Sequence, residues 1–119
     1  MDQILSQQIL STLSFTEEEV FEKIGAELSY GQGAFPPNKE EFVRMGKRWW
    51  THNRERLFTS ICSSEAIKNV FESGDELALI VAILDLISGI VTGISATTVA
   101  VLIVKLGLEK ACGSMWNNH

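Results

Sequence analysis

The chain has 119 residues, of which 45% are hydrophobic and 21% charged, and its formal net charge is -5. One domain fits this length and two do not fit comfortably, and a chain of this size can bury roughly two-thirds of the surface it exposes when unfolded. The composition excludes a disordered chain, a collagen-like repeat and a multi-bridge disulfide scaffold, and the acidic balance argues against a general nucleic-acid binder.

Residues 2–13 read as a short helix, because Ile4, Leu5, Ile9, Leu10 and Leu13 recur among Gln and Ser at helical spacing. Thr16 opens a second helix, to about residue 29. Thr16 and Glu19 have the spacing of a capping box, and Glu17, Glu18 and Glu19 suit the positive end of the helix dipole. Val20, Phe21, Ile24 and Leu28 are its apolar stripe. Residues 29–38 hold two glycines and two prolines and read as a loop. Gly31 and Gly33 within it are too sparse for a phosphate-binding turn.

Asn38 with Glu41 repeats the cap-plus-acid signature and opens a long helix over about 39–61. Ser63 or Ser64 caps a short helix that stops near Gly74, and a fifth runs from about 75 to 89. A sixth helix is expected over about 96–112. Thr97 to Val104 is rich in β-branched residues and is also compatible with a buried strand, but no partner strand is evident.

Charge is unevenly spread. Residues 1–43 carry eight acids and two bases, residues 44–56 one acid and five bases, and residues 57–119 six acids and three bases. The basic segment contains Trp49 and Trp50, which invites stacking on nucleic-acid bases. Helical geometry opposes this. Phe42, Gly46, Trp49, Trp50, Leu57 and Ile61 share one face, so both tryptophans fall on the core stripe. Lys47 and Arg54 lie on one flank, Arg44 and Arg48 on the back, and Arg56 on the opposite flank. Arg44, Lys47, Arg48 and Arg54 remain a candidate basic patch for an acidic protein partner or for the chain's own acidic helices. Asn53, near the centre of the apolar face, is expected to bond the backbone of a neighbouring segment, with a place at an exposed rim as the alternative. Gly46, which costs a helix interior about 1 kcal/mol against alanine, is best explained by a helix crossing closely there.

Residues 86–104 hold no charge across 19 positions, just the length of a membrane span, and Gly89 and Gly93 have membrane-packing spacing. The glycines, Ser95, Thr97 and Thr98 instead read as a turn with caps, splitting the stretch into two helices of about 21–25 Å, short of the ~30 Å hydrocarbon core. Ala78, Ala82, Asp85 and Gly89 share a small-residue face that could admit another helix. In an antiparallel hairpin Asp85 and Lys105 could approach each other. These five residues are the candidate interaction surface.

Cys62 and Cys112 are expected to be reduced, buried thiols, with a single bridge as the sharper alternative whose geometry spacing cannot test. No secretion signal or lipidation motif is visible, and cytoplasm is the default compartment. No P-loop, dinucleotide fingerprint or zinc spacing occurs, and His52 and Cys62 would lie about 15 Å apart on one helix. No catalytic, cofactor or metal residues are expected, and no enzyme.

The reading is an all-α, single-domain bundle of five to six helices over residues 1–119, with a hydrophobic C-terminal helical hairpin over 75–112 and the acidic helices packed around it. The expected function is a non-enzymatic protein–protein interaction module (adaptor, regulator or assembly subunit), acting on a protein partner or as a homo-oligomer. A membrane-active protein inserting residues 77–104 and a nucleic-acid accessory using residues 44–56 are the alternatives.

Overall fold

The computed structural model describes residues 3–30 and 38–116. They form seven α-helices and no strand: α1 (Gln3–Leu13), α2 (Glu17–Tyr30), α3 (Lys39–Cys62), α4 (Glu65–Ser73), α5 (Glu76–Ile87), α6 (Ala96–Leu106) and α7 (Leu108–Trp116). The expected loop over 29–38 lies largely outside the described residues, including Gly31 and Gly33, while Ser29 and Tyr30 continue α2.

Local chemistry sets most of the boundaries. The Thr16 N–H donates to Glu19 Oε1 at 2.9 Å and the Glu19 N–H to the Thr16 hydroxyl at 3.1 Å, a reciprocal capping box. Asn38, Ser64, Asp75 and Ser95 each accept from the N–H three residues on, at the starts of α3, α4, α5 and α6. Gly74 ends α4 with φ +80°, in the left-handed region that a side chain would disfavour.

The expected sixth helix is in fact two. Gly107, at φ +98°, closes α6 and separates it from α7. The apolar pattern runs through this point from Leu106 to Leu108, which is why periodicity alone joined them. Thr97 to Val104 is helical, as favoured.

The helices α2 and α3 pair antiparallel with their backbones in close approach. A Cβ placed on Gly46 would overlap the Phe21 carbonyl oxygen, and one on Gly25 would overlap the Phe42 carbonyl oxygen. The two contacts are equivalent: each glycine lies four residues after the phenylalanine whose carbonyl the other glycine meets. Phe21-xxx-Gly25 and Phe42-xxx-Gly46 are thus a local two-fold motif that brings the two backbones together. The crossing inferred at Gly46 is the one made by α2.

At the centre is α6. Six consecutive residues, Thr98 to Ile103, are buried, so this helix is enclosed on every side rather than along one stripe. It packs against α1, α2, α5 and α7. Ile9 of α1, Ile24 of α2, Leu57 and Ile61 of α3, and Ile80, Ile83 and Ile87 of α5 are fully buried in the same core. Its N-terminus receives a carboxylate from α2: Glu27 Oε1 accepts from the Ser95 N–H at 2.6 Å, and Lys23 holds the other carboxylate oxygen at 3.3 Å. An acid at this end satisfies an otherwise open donor and complements the helix dipole.

No described helix is long and apolar enough to cross a membrane. The apolar residues of α5 and α6 that suggested a span are largely spent on the core.

Candidate functional site

The bases of α3 are all exposed, but only some of them share a surface with something else. Lys47 reaches across the ring of Phe21, 5.9 Å from its centroid. Arg54, seven residues on and therefore on the same flank, lines a groove between α3 and the α6–α7 corner. Arg44 and Arg48 are exposed and are not among the residues that line it. Of the two tryptophans, Trp50 is buried and Trp49 is half-buried against the core. Asn53 does not reach a neighbouring segment. Its amide donates to Trp49 O at 2.8 Å within its own helix and its oxygen accepts from Arg56 at 2.8 Å, so the half-buried amide is satisfied locally.

The groove has a volume of about 760 Å³. Trp50 and Phe58 form part of its α3 wall, with their rings edge to face at a centroid separation of 5.6 Å. Leu106, Ala111 and Met115 line the opposite wall, and Met115 is 52% exposed. Arg54 and Lys110 stand on the two sides, with Glu55 as the one carboxylate of the lining. Among the described residues, neither cation forms an ion pair. An apolar trough with open cations at its edges can hold an amphipathic segment whose flanks are acidic.

The trough exists because α7 is tied back onto the end of α3. Cys62 and Cys112 are joined by a disulfide, with their Cα atoms 5.2 Å apart. This corrects the expectation of two reduced thiols: the turn at Gly107 brings a cysteine fifty residues away into bridging range. One turn beyond, the Trp116 indole N–H donates to Cys62 O at 3.0 Å and its ring packs on Phe71 at 5.2 Å. Cys62 itself lines the groove.

The surface expected around α5 divides. Ala78 and Ala82 are half-buried and Asp85 is exposed along one face of α5. Gly89 lies past the helix end, where a Cβ would meet nothing within 4 Å. Lys105 is not among them. It sits in the last turn of α6, whereas Asp85 lies near the far end of α5. The start of α5 packs beside the end of α6, with Leu79 and Val104 lining one hollow, so the antiparallel arrangement puts the two charges at opposite ends. The field of Lys105 falls instead on Glu19. That carboxyl is held below its ordinary value of 4.5, chiefly by the Thr16 backbone N–H and then by the Thr16 hydroxyl, with smaller help from Lys39 and Lys105.

A second hollow of about 400 Å³ lies between α1 and the start of α6, lined mainly by polar groups such as Gln7, Gln8, Ser11 and Thr97. Among the described residues, no group of three or more His, Cys, Asp or Glu is placed to hold a metal ion. Sequence reasoning missed Phe58, Lys110 and Met115 as groove residues, because α7 was read as an extension of α6. Gly107 between two apolar runs was the signal that could have found them. No known protein family, curated protein or solved structure matches this chain.

Proposed function

We propose that this chain is a small, non-enzymatic, cytoplasmic protein–protein interaction module, an adaptor, regulator or assembly subunit that needs no cofactor. Its binding site is the groove between α3 and α7, and its occupant is an amphipathic helix of a partner protein with acidic flanks. The observation that carries this reading is the pairing of an apolar trough with two cations, Arg54 and Lys110, that have no carboxylate partner among the described residues. Lys47 extends the positive flank along α3 by about two turns. The remainder of the molecule serves as the mount, with the α5–α6 hairpin as its hydrophobic centre and α1 and α2 packed around it.

A groove of this kind selects its occupant in two ways. Burial of leucine-like side chains against Trp50, Phe58 and Met115 supplies affinity, at about 25 cal/mol per Å² of apolar surface before the costs of association. The rim cations supply orientation and faster encounter.

The test uses two synthetic fourteen-residue helical peptides with the same leucine face, one flanked by glutamates and one by lysines. Backbone amide shifts of the labelled protein locate binding. The glutamate peptide perturbs α3 and α7, and Arg54→Glu with Lys110→Glu reduces its affinity about tenfold or more. Equal binding of the lysine peptide, or shifts confined to another surface, removes the reading. Binding of a single-stranded oligonucleotide or of anionic vesicles in preference to the peptide assigns the basic flank to nucleic acid or to lipid instead. Self-association that covers the groove in light scattering replaces the partner with a second copy of this chain.

A further inference from the structure

We propose that the Cys62–Cys112 disulfide is a redox latch on the groove, closing it in the oxidised chain and opening it on reduction. This inference rests on the groove reading above and adds its regulation. Three observations converge on it. First, α7 is nine residues long, too short to hold helical structure unaided. It is anchored on α3 and α6 by its buried residues Leu108, Cys112, Gly113 and Trp116, and the bridge is its one covalent attachment to α3. Second, it is joined to α6 at Gly107, whose φ of +98° gives a single-residue pivot. Third, Cys62 lines the groove while Cys112 is fully buried, so the groove is the side from which a small reductant approaches the bridge.

The chemistry balances with a dithiol as reductant. Its thiolate attacks Cys62 Sγ, the bridge breaks, and Cys112 leaves as a thiolate that takes up a proton. The second thiol of the reductant then attacks the mixed disulfide and releases Cys62, leaving a cyclic oxidised reductant. Two electrons pass to the protein, and α7 is left with the indole hydrogen bond and its apolar contacts. In a reducing compartment such a bridge is transient and redox-sensing rather than a permanent staple. Lys110, Ala111 and Met115 leave with α7, so the opposite wall of the trough is dismantled. Linkage runs both ways: an occupant that prefers the closed groove also shields Cys62 and opposes reduction.

The experiment compares the oxidised chain, the same chain after dithiothreitol, and Cys62→Ser with Cys112→Ser. Hydrogen exchange, far-UV circular dichroism and affinity for the glutamate-flanked peptide are measured on each. The expected result is a helical, folded reduced chain whose α7 amides alone lose protection, about tenfold or more, with peptide affinity falling by a similar factor. The double-serine variant behaves as the reduced chain. Unchanged protection of α7 after reduction overturns the latch even if the peptide binds. Loss of the whole helical signal overturns it too, since the bridge is then a staple for the entire fold. A cysteine pair that stays free in air also overturns it. Opening of α7 on reduction without peptide binding in either state keeps the latch and rejects the groove as the peptide site.

Discussion

Gly46→Ala tests the α2–α3 crossing most directly. The added Cβ would sit on the Phe21 carbonyl oxygen, and backbone cannot rotate away as a side chain can. Restoring an ordinary separation of about 3.4 Å moves the two helices apart by more than about 1 Å, and a gap of that size forfeits about half or more of each contact across it. Overpacking of this kind costs about 1–3 kcal/mol, here at the upper end, while alanine returns about 1 kcal/mol of helix propensity. The net expectation is a loss of about 2 kcal/mol. Gly25→Ala costs a similar amount, because the Phe42 carbonyl stands against it in the same way. The double variant is more informative. One separation relieves both overlaps while each alanine returns its own propensity, so the pair costs about 1–2 kcal/mol rather than the sum of about 4, and the coupling has a definite sign. Urea unfolding followed by circular dichroism measures all three, with Gly89→Ala as a control at a position with open space around it. If Gly46→Ala is as stable as the parent, or if the two substitutions add, the close crossing is wrong.

Three further outcomes follow from single contacts. Glu27→Ala strips the acceptor from the Ser95 N–H and lowers stability by about 1–3 kcal/mol, whereas Glu27→Gln, which keeps an acceptor, loses less; equal losses in thermal unfolding refute a capping role. Trp116→Phe keeps the packing on Phe71 but removes the donor to Cys62 O, and urea unfolding of the oxidised chain should register about 1 kcal/mol; no change means that the carbonyl finds water instead. Glu19, with its folded value below 4.5, adds stability that is present in full above that value and is lost as pH falls through the lower folded one. A carboxyl titration by nuclear magnetic resonance should place its midpoint below 4.5 and move part of the way back in Thr16→Ala; a midpoint at or above 4.5 contradicts the capping box.

Helix starts were readable because caps are local. Thr16, Asn38 and Ser64 each satisfy a donor three residues away, so spacing suffices to find them. The all-helical class followed from the same evidence of periodicity, together with the missing partner for Thr97 to Val104. What escaped notice depends on which helices meet. The Phe21–Gly25 and Phe42–Gly46 motif is visible in the letters but has meaning only once α2 and α3 are known to pair. Gly107 was overlooked because Leu106 and Leu108 sustain the apolar pattern across it. That one omission hid the return of α7, and with it the geometry that decides for the Cys62–Cys112 bridge over two free thiols, and the far wall of the groove.

The enclosure of α6 has a consequence for the order of events at the ribosome. The helix that fills the middle is made from residues 96–106, while two of its walls, α1 and α2, are made first. At about 5–20 residues per second, Ile9 waits roughly 5 to 20 seconds for Ile103 to be synthesised. The α2–α3 pair can close during that interval, since its partners are near in sequence. The apolar face of α1 cannot, because its main cover does not yet exist. A nascent chain stopped before residue 96 therefore carries an unroofed core, and translation pauses in that stretch lengthen the time for which chaperones must shield it.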